Sequence, residues 1–557
     1  MYVKKRYYAY LVLYLLVVGV YYYVALPPLN WHSPEFWVFA NIVVLPLLVF
    51  ALLKLCLKNS ILNPTDLIAK FRNKEVIDAT TQGKKDRDLI LAIIIATVLL
   101  LVFPTVSAFV TSEVFHAKSY ANRIEVQQQD FSAIPEADMK KIPIIDRDSS
   151  ERIGDKVMGD MSEWVSQFEV STEYTQISYK DSVYRVTPLT YNGIIKYFIN
   201  RDEGIPAYIS VDSTSGKTKL VKLKDLGLDG LRYVPSAMFN ENLMRHLRFN
   251  YPTEIFGSPS FEIDEQGHPY YICSTYTYAG VGTKKQVTGA IFLDPITGES
   301  TRYELGEIPS WADRIFPESL VIEELDQNGS FQKGFINSIF GQSGVTVTSE
   351  GYNYLEKDGD IWLYSGITSV NSDASNLGFV LVNLRTHEAI KINSSGANEY
   401  SAMDSAEAEV KNYGYQSTFP ILSNIAGNPV YVMSLKDNGL IKMYATVNAI
   451  DYQQVAVVAS DEGLPALFKK TVQIMGQSEE GVSADTLTDA VITIDEFEKN
   501  EFEGTTLYYL KANDEIYKIT FSLKYENELV FLQKGDTLKI RYLDGEGIKT
   551  IKEIIKE

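Results

Sequence analysis

Three long apolar runs near the N-terminus constrain this chain more than any other feature. They are YYAYLVLYLLVVGVYYYVAL (7–26), FWVFANIVVLPLLVFALLKLCL (36–57) and LILAIIIATVLLLVFPTVSAFV (89–110). Each is about 20 residues long, the length a helix needs to cross a hydrocarbon core ~30 Å thick. Lipid offers no partners to backbone N–H and C=O groups, so each run reads as a spanning helix. No small-residue cleavage site follows the first run, and two more runs come soon after it. It therefore reads as a retained span and not as a cleaved leader.

Lysine and arginine fix the expected orientation. Lys4, Lys5 and Arg6 precede the first run, and the 28–35 loop has neither residue type. The 58–88 loop carries Lys58, Lys70, Arg72, Lys74, Lys84, Lys85 and Arg87. The positive-inside rule places the N-terminus and the 58–88 loop in the cytoplasm, and the residues after 111 outside it. Tyr21, Tyr22 and Tyr23 then stand where an interfacial aromatic belt belongs. Lys54 lies within a turn of the cytoplasmic end and can snorkel, so the spans read as an anchor and not as an ion path.

The formal net charge of −19 is unevenly spread. The first 110 residues sum to +5 and the rest to −24. An acidic body disfavours nucleic acid, whose phosphates require Lys and Arg. Cys56 and Cys273 fall on opposite sides of the expected membrane, so they cannot pair and no disulfide framework is expected. Sparse cysteine suits a Gram-positive envelope.

After the apolar runs, a single pattern recurs. AYISVDSTSGKTKL (207–220) reads as two strands around a turn. The pattern returns as GAIFLDPITGESTRYEL (289–305), GFVLVNLRTHEAIKI (378–392) and MYATVNAIDYQQVAV (443–457). Asp212 and Asp294 read as turn-fixing acceptors. Gly216 and Gly298 read as positions with positive φ. Each copy follows a helical stretch and a first hairpin, with turns expected at Gln266-Gly267, Asp358-Gly359 and Gly427-Asn428. Each unit thus reads helix, hairpin, hairpin. The repeat positions Asp212, Asp294, Asn383 and Asn448 are unevenly spaced, unlike a solenoid's fixed period, so separate α+β modules set side by side are expected. A helix on one face of each sheet would leave the other face open. Asp404 reads as a helix N-cap, and DQNGS (326–330) as an Asn-Gly turn.

This unit resembles the PepSY module. IAGNPVYVMSLKDNGLIKMYATVNAIDYQQVAV is similar to that family's run of glycine turn, aromatic strand, acidic turn and Asp- or Asn-ended strand. VDSTSG and LDPITG resemble its closing Asp-x-x-Thr-Gly turn. The third and fourth units depart from it, with Asn for Asp and no glycine. The resemblance spans roughly 150–460. It implies binding or restraint of an extracytoplasmic enzyme, such as a peptidase or wall hydrolase, and not catalysis.

The last stretch, GTTLYYLKANDEIYKITFSLKYENELVFLQKGDTLKIRYL (504–543), alternates apolar and polar residues between close turns, as a small OB- or SH3-like barrel does. The fold class expected is therefore α+β: three N-terminal transmembrane helices, then PepSY-like helix-plus-antiparallel-sheet modules, then a small β-barrel. The boundaries are a membrane domain at 1–111, a juxtamembrane stalk at 112–148, modules at 149–228, 229–308, 309–395 and 396–462, a linker at 463–489, and the barrel at 490–557.

Local chemistry is sparse. His32, His116, His246, His268 and His387 form no metal spacing, and no nucleotide loop, nucleophile elbow or C-x-x-C is present. No catalytic residue, metal or cofactor is expected. Ser150 beside Lys156 reads as a helix cap rather than as half of a Ser-Lys pair. Tyr276 and Tyr278, and Trp362 and Tyr364, each share one strand face by alternation. They are either sheet core or an exposed binding surface. The expected function is a membrane-anchored extracytoplasmic binding or regulatory scaffold with an envelope protein as partner. The alternative is an envelope enzyme with a site between modules.

Overall fold

The computed structural model describes residues 2–58, 81–139, 141–159, 161–370, 375–475, 488–502, 505–513, 515–520, 525, 529, 532–543 and 548–555. Most of the basic loop expected in the cytoplasm, a stretch of the expected linker and parts of the expected barrel lie outside the described residues.

The apolar runs form helices α1 (Tyr2–Ala25), α2 (Pro34–Lys58) and α3 (Thr81–Val110). Among the described residues, two segments are long and apolar enough to cross a membrane: Pro34–Leu55 in α2 and Arg87–Val110 in α3. The apolar described stretch of α1, Tyr10–Ala25, is shorter. α2 packs on α3. α1 meets α2 through Tyr21 and Tyr22, whose rings lie 5.9 and 5.7 Å from that of Phe39. Pro46 and Pro104 are accommodated inside their helices.

The expected stalk is α-helical in α4 (Glu113–Ala121), has one 3-10 turn at Phe131–Ala133, and ends where the next helix begins at Arg147. Its remainder is woven into the body. Val126–Gln129 pairs in parallel with Ala389–Ile392 as an edge strand, and Asn424 Nδ2 donates to the Ile134 carbonyl at 2.9 Å. Ile142, Ile144 and Ile145 are buried against the fourth sheet. The segment is apolar every few residues because it packs along its whole length.

Four sheets share one plan. In each, two short strands lie end to end along a long third strand, and two further strands continue the antiparallel meander. The first sheet follows α5 (Arg147–Gly159), with α6 (Ile194–Asn200) inserted between its long strand, Ser182–Tyr191, and Ala207–Asp212. The second follows α7 (Leu243–Asn250), capped by Asn242, whose side chain accepts from Arg245 N. The third follows α8 (Glu318–Phe331), and the fourth follows α9 (Glu399–Glu409). Asn398, not Asp404, caps α9, by accepting from Ser401 N. DQNGS does not turn. It lies in α8, where the Asp326 carboxylate accepts from the Thr348 N–H and hydroxyl at 2.8 and 2.9 Å. Burying α8 against its neighbours outweighs the low helix propensity of Asn and Gly.

The tight first hairpins turn at Lys180-Asp181, Asp358-Gly359 and Ala426-Gly427, each with two successive positive φ values. Such turns match the right-handed twist of the strands. Closing turns repeat more faithfully. Asp212 Oδ1 accepts from the N–H of Thr214 and Ser215, both at 2.9 Å. Asp294 Oδ1 does the same with Ile296 and Thr297, at 2.8 and 3.3 Å. Asn383 and Asn448 repeat the contact with Arg385 and Thr386, and with Ile450 and Asp451. Gly216 and Gly298 have φ of +71° and +81°, and His387 takes the equivalent place at +65°.

The modules are not beads. Leu243 and Leu247 of α7 enter a core shared by the first and second sheets. Leu320, Val321 and Leu325 of α8 enter one shared by the second and third. Ala402 and Ala406 of α9 enter one shared by the third and fourth. Strand residues alternate between cores: Tyr271 and Cys273 face one, Ile272 and Tyr276 the next. The three later sheets are therefore buried on both faces, which explains strands that are apolar almost throughout.

Beyond the fourth sheet, residues 463–475 of the expected linker form α10 (Gly463–Met475). Leu464, Leu467 and Met475 close the outer face of that sheet. Residues 488–555 hold a six-stranded sheet with its own core of Ile492, Leu510, Ile540 and others.

Candidate functional site

The aromatic residues expected as core or as binding surface resolve toward the core. Trp362 and Tyr364 are buried between the third and fourth sheets, and Tyr364 donates its hydroxyl to the Pro420 carbonyl. Tyr276 is buried between the second and third sheets, and Tyr278 is half-buried against the same core. They offer no common outer surface. The open face expected for the sheets is covered, by the neighbouring module between the first and fourth sheets and by α10 on the outer face of the fourth. Of the turn residues, Asp294 Oδ2 also lies 3.3 Å from His268 Nε2.

The structure instead brings polar residues together where the first three sheets meet. A cleft of about 120 Å³ there is lined by Arg147, Arg185, Arg314, Asp313, Glu318 and Tyr354, among others. Arg185 is buried on the first sheet and donates to Gln176 Oε1 at 2.6 Å and to the Ile145 carbonyl. Arg314 pairs with Glu318 at 2.6 Å, and Tyr354 donates to the same carboxylate at 2.8 Å. Burial would lower the arginine's pKa, but the Glu318 carboxylate outweighs it and holds the guanidinium charged.

Asp313 is the pin of this joint. Its carboxylate accepts from Ser178 N on the first sheet at 2.7 Å and from Ile361 N on the third at 3.3 Å. Its own N–H donates to Glu262 Oε2 on the second at 2.8 Å. Burial, then the neighbouring Glu262 carboxyl, pushes Asp313 well above the usual carboxylate range, and burial raises Glu262 too. The buried Tyr174 hydroxyl and Gln176 Nε2 have no partner here. Among the described residues, no group of three or more His, Cys, Asp or Glu is placed to hold a metal ion. What this arrangement does chemically is hold three sheets in one register.

A second constellation lies at the N-terminal apolar helices. Arg245 Nε donates to the Tyr23 carbonyl at 3.2 Å, and its guanidinium sits 4.2 Å from the centre of that ring. Arg248 is buried and donates to the carbonyls of Leu26, Tyr251 and Glu254 at 3.0, 3.2 and 2.5 Å. Burial pulls its pKa down to about 10. Leu29 N donates to the Pro252 carbonyl at 2.7 Å, and Gly282 N to that of His32 at 3.0 Å. At the end of α3, the Thr111 and Thr283 hydroxyls lie 2.6 Å apart. The second module is thus fastened to the ends of all three helices. The 26–33 loop and residues 111–121 meet the same module, so both stand on one side of the apolar segments. No motif announces Arg245 and Arg248; their spacing of three on an amphipathic helix was the available signal.

No protein-family model and no curated protein matches the chain. Three solved structures show distant likeness. One, described as structural mimicry for functional antagonism, is 11% identical, with a TM-score of 0.09 over 37% of this chain and 90% of its own. The polysaccharide lyase Uly1 is 9% identical, with a TM-score of 0.17 over 68% and 74%. A point-mutant ACO/RPE65 chimera is 9% identical, with a TM-score of 0.13 over 69% and 65%. Likeness this slight carries no argument about fold or activity.

Proposed function

We propose that the protein is a membrane-anchored extracytoplasmic scaffold that binds or restrains a cell-envelope protein, with a peptidase or wall hydrolase as the expected class of partner. The observation that carries this reading is the fastening of the second module to α1, α2 and α3. A body gripped at its base by Arg245 and the buried Arg248 presents its surfaces in a fixed orientation, as a display platform requires. On this reading α1 is a third span, the N-terminus is cytoplasmic, and the residues after 111 lie outside the cell. The four modules are PepSY-like in unit plan. The C-terminal sheet is a rolled barrel. Its consecutive strands Thr488–Thr493 and Glu496–Phe502 occupy opposite edges of the sheet order, and the bend between them donates from Ile494 N to Asp536 O and from Asp495 N to Lys511 O, which supports closure at that point.

The test is affinity purification of the full chain from its native membrane, followed by identification of what co-purifies. Stoichiometric recovery of one envelope protein is expected. The polar cleft between the first and third sheets favours a second reading, an envelope enzyme with its site between modules. That reading takes over if nothing co-purifies and the protein alone cleaves wall material, with loss of cleavage in Arg314→Gln.

A further inference from the structure

The helix α6 has its apolar residues on the wrong side for a soluble protein. Of its sequence IIKYFIN only Tyr197 is buried, held by a 2.7 Å bond from its hydroxyl to Glu241. Ile194, Ile195, Phe198 and Ile199 are exposed, with Ile195 at 73% and Ile199 at 64%. Beside them stands Phe239, also exposed, its ring 6.2 Å from Phe198. A contiguous set of five large apolar side chains in the open marks a contact surface.

Its position identifies the occupant. The Phe239 carbonyl accepts from Arg245 Nη1 at 2.6 Å, and the same guanidinium donates to the Tyr23 carbonyl in the last turns of α1. The patch therefore lies one side chain away from the end of the first apolar helix. Phe249 of α7 stands at the same helix end. Its ring is 6.2 Å from both Tyr22 and Tyr23, and Tyr22 is 5.7 Å from Phe39, inside the apolar segment of α2. Phe249 thus stands level with the first turns of a membrane-length segment, and it too is exposed.

We propose that the apolar face of α6, together with Phe239 and Phe249, beds into the headgroup–acyl boundary of the leaflet at this end of the helices. Exposed aromatic and branched aliphatic side chains on a short surface helix suit that boundary, where apolar area is buried to a shallow depth and the backbone remains within reach of water. This proposal rests on the reading of α1–α3 as a membrane anchor. It adds a second, shallow attachment that sets the first module low against the bilayer and fixes the tilt of the whole body.

The test uses the full chain in liposomes, with Cys56→Ser and the core-buried Cys273 retained. An environment-sensitive fluorophore is placed by Ile195→Cys, by Phe239→Cys, by Val38→Cys on α2, or by Asp461→Cys on the fourth module. All four positions are exposed. Lipids spin-labelled near the headgroup serve as quenchers. The expected result is blue-shifted, lipid-quenched emission at 38, 195 and 239, and water-like emission at 461. If 38 is quenched while 195 and 239 behave like 461, the shallow attachment is overturned and the anchor stands. If 38 is not quenched either, the anchor reading itself falls.

Discussion

Gly216 and Gly298 occupy the same place in the same turn, yet replacing each by alanine should have different consequences. Both have positive φ, where a β-carbon is strained by about 1–2 kcal/mol. At Gly216 the added carbon would meet only side-chain carbons of Ile145 and Ile153, at 3.7 Å and beyond, which is ordinary contact. At Gly298 it would fall 2.5 Å from Cζ of the Tyr233 ring. That ring is packed against the core of the first two sheets and against His246, 4.5 Å away, so it cannot simply swing out. Overpacking of this kind adds about 1–3 kcal/mol. Gly216→Ala should therefore cost about 1–2 kcal/mol and Gly298→Ala about 2–5 kcal/mol. At roughly 2 °C per kcal/mol for a body of this size, scanning fluorimetry of the detergent-solubilised full chain should separate the two melting temperatures by several degrees. In a Tyr233→Ala background the excess at Gly298 should vanish, as a double-mutant cycle reads it. Equal shifts for the two alanines, or an excess that persists without the ring, would refute the reasoning.

Arg248→Met keeps the stem but takes its donor from the half-buried carbonyls of Leu26, Tyr251 and Glu254. It should cost about 2–4 kcal/mol and speed proteolysis at the 26–33 loop; unchanged cleavage would mean the clamp is dispensable. Glu262 and Asp313 bear on pH. Burial lifts their folded-state pKa values above the unfolded ones, so their contribution to stability is complete below the ordinary carboxylate range and is lost as pH rises through the raised values. Asp313→Asn should therefore flatten the fall in melting temperature as pH rises above the ordinary carboxylate range, and parallel curves for the two proteins would sink this account. Ending the chain after Met475 should leave the four-sheet body folded. Ending it at 462 strips the buried Leu464, Leu467 and Met475 from the fourth sheet, at about 1.5–3 kcal/mol each, and should unfold that sheet, as read by trypsin digestion. Protease added to intact protoplasts should digest the residues after 111 and spare the basic loop; full protection of the body would reverse the orientation.

The repeated units were legible because their turns are local. Asp212, Asp294, Asn383 and Asn448 fix their turns through N–H groups two and three residues on, an interaction that short spacing announces. His387 was harder to see, since a left-handed histidine is uncommon, but it stacks on Phe316 at 4.2 Å and bonds Glu324 at 2.7 Å, contacts from distant sequence that hold it there. What faces each sheet was not legible. Alternation shows that Trp362 and Tyr364 share a side and cannot say that α9 and a further sheet cover it. The polar joint escaped for the same reason: Ser178, Glu262, Asp313 and Ile361 come from three units, and nothing local marks them as neighbours. Residues 463–475, expected as part of a linker, instead form an amphipathic helix whose buried face meets the fourth sheet, a contact with distant sequence that no local signal marks.

The parallel pairing of Val126–Gln129 with Ala389–Ile392 has a consequence for how the chain assembles. The edge strand is among the earliest segments of the body to be synthesised, and its partner emerges more than two hundred and fifty residues later. Asn424 and Lys436 must likewise wait to meet Ile134 and Asp146, 290 positions earlier. Closing loops of that length precedes any reward from the contacts they allow, so completion is slow and falls late. Until then Val126–Gln129 lacks its strand partner, and Ile134, Ile142 and Ile144 lack the third and fourth sheets that bury them, the kind of exposure that invites misassembly. A nascent body stalled after its second module would be the vulnerable species, and the strap that locks the finished molecule would be its point of weakness during synthesis.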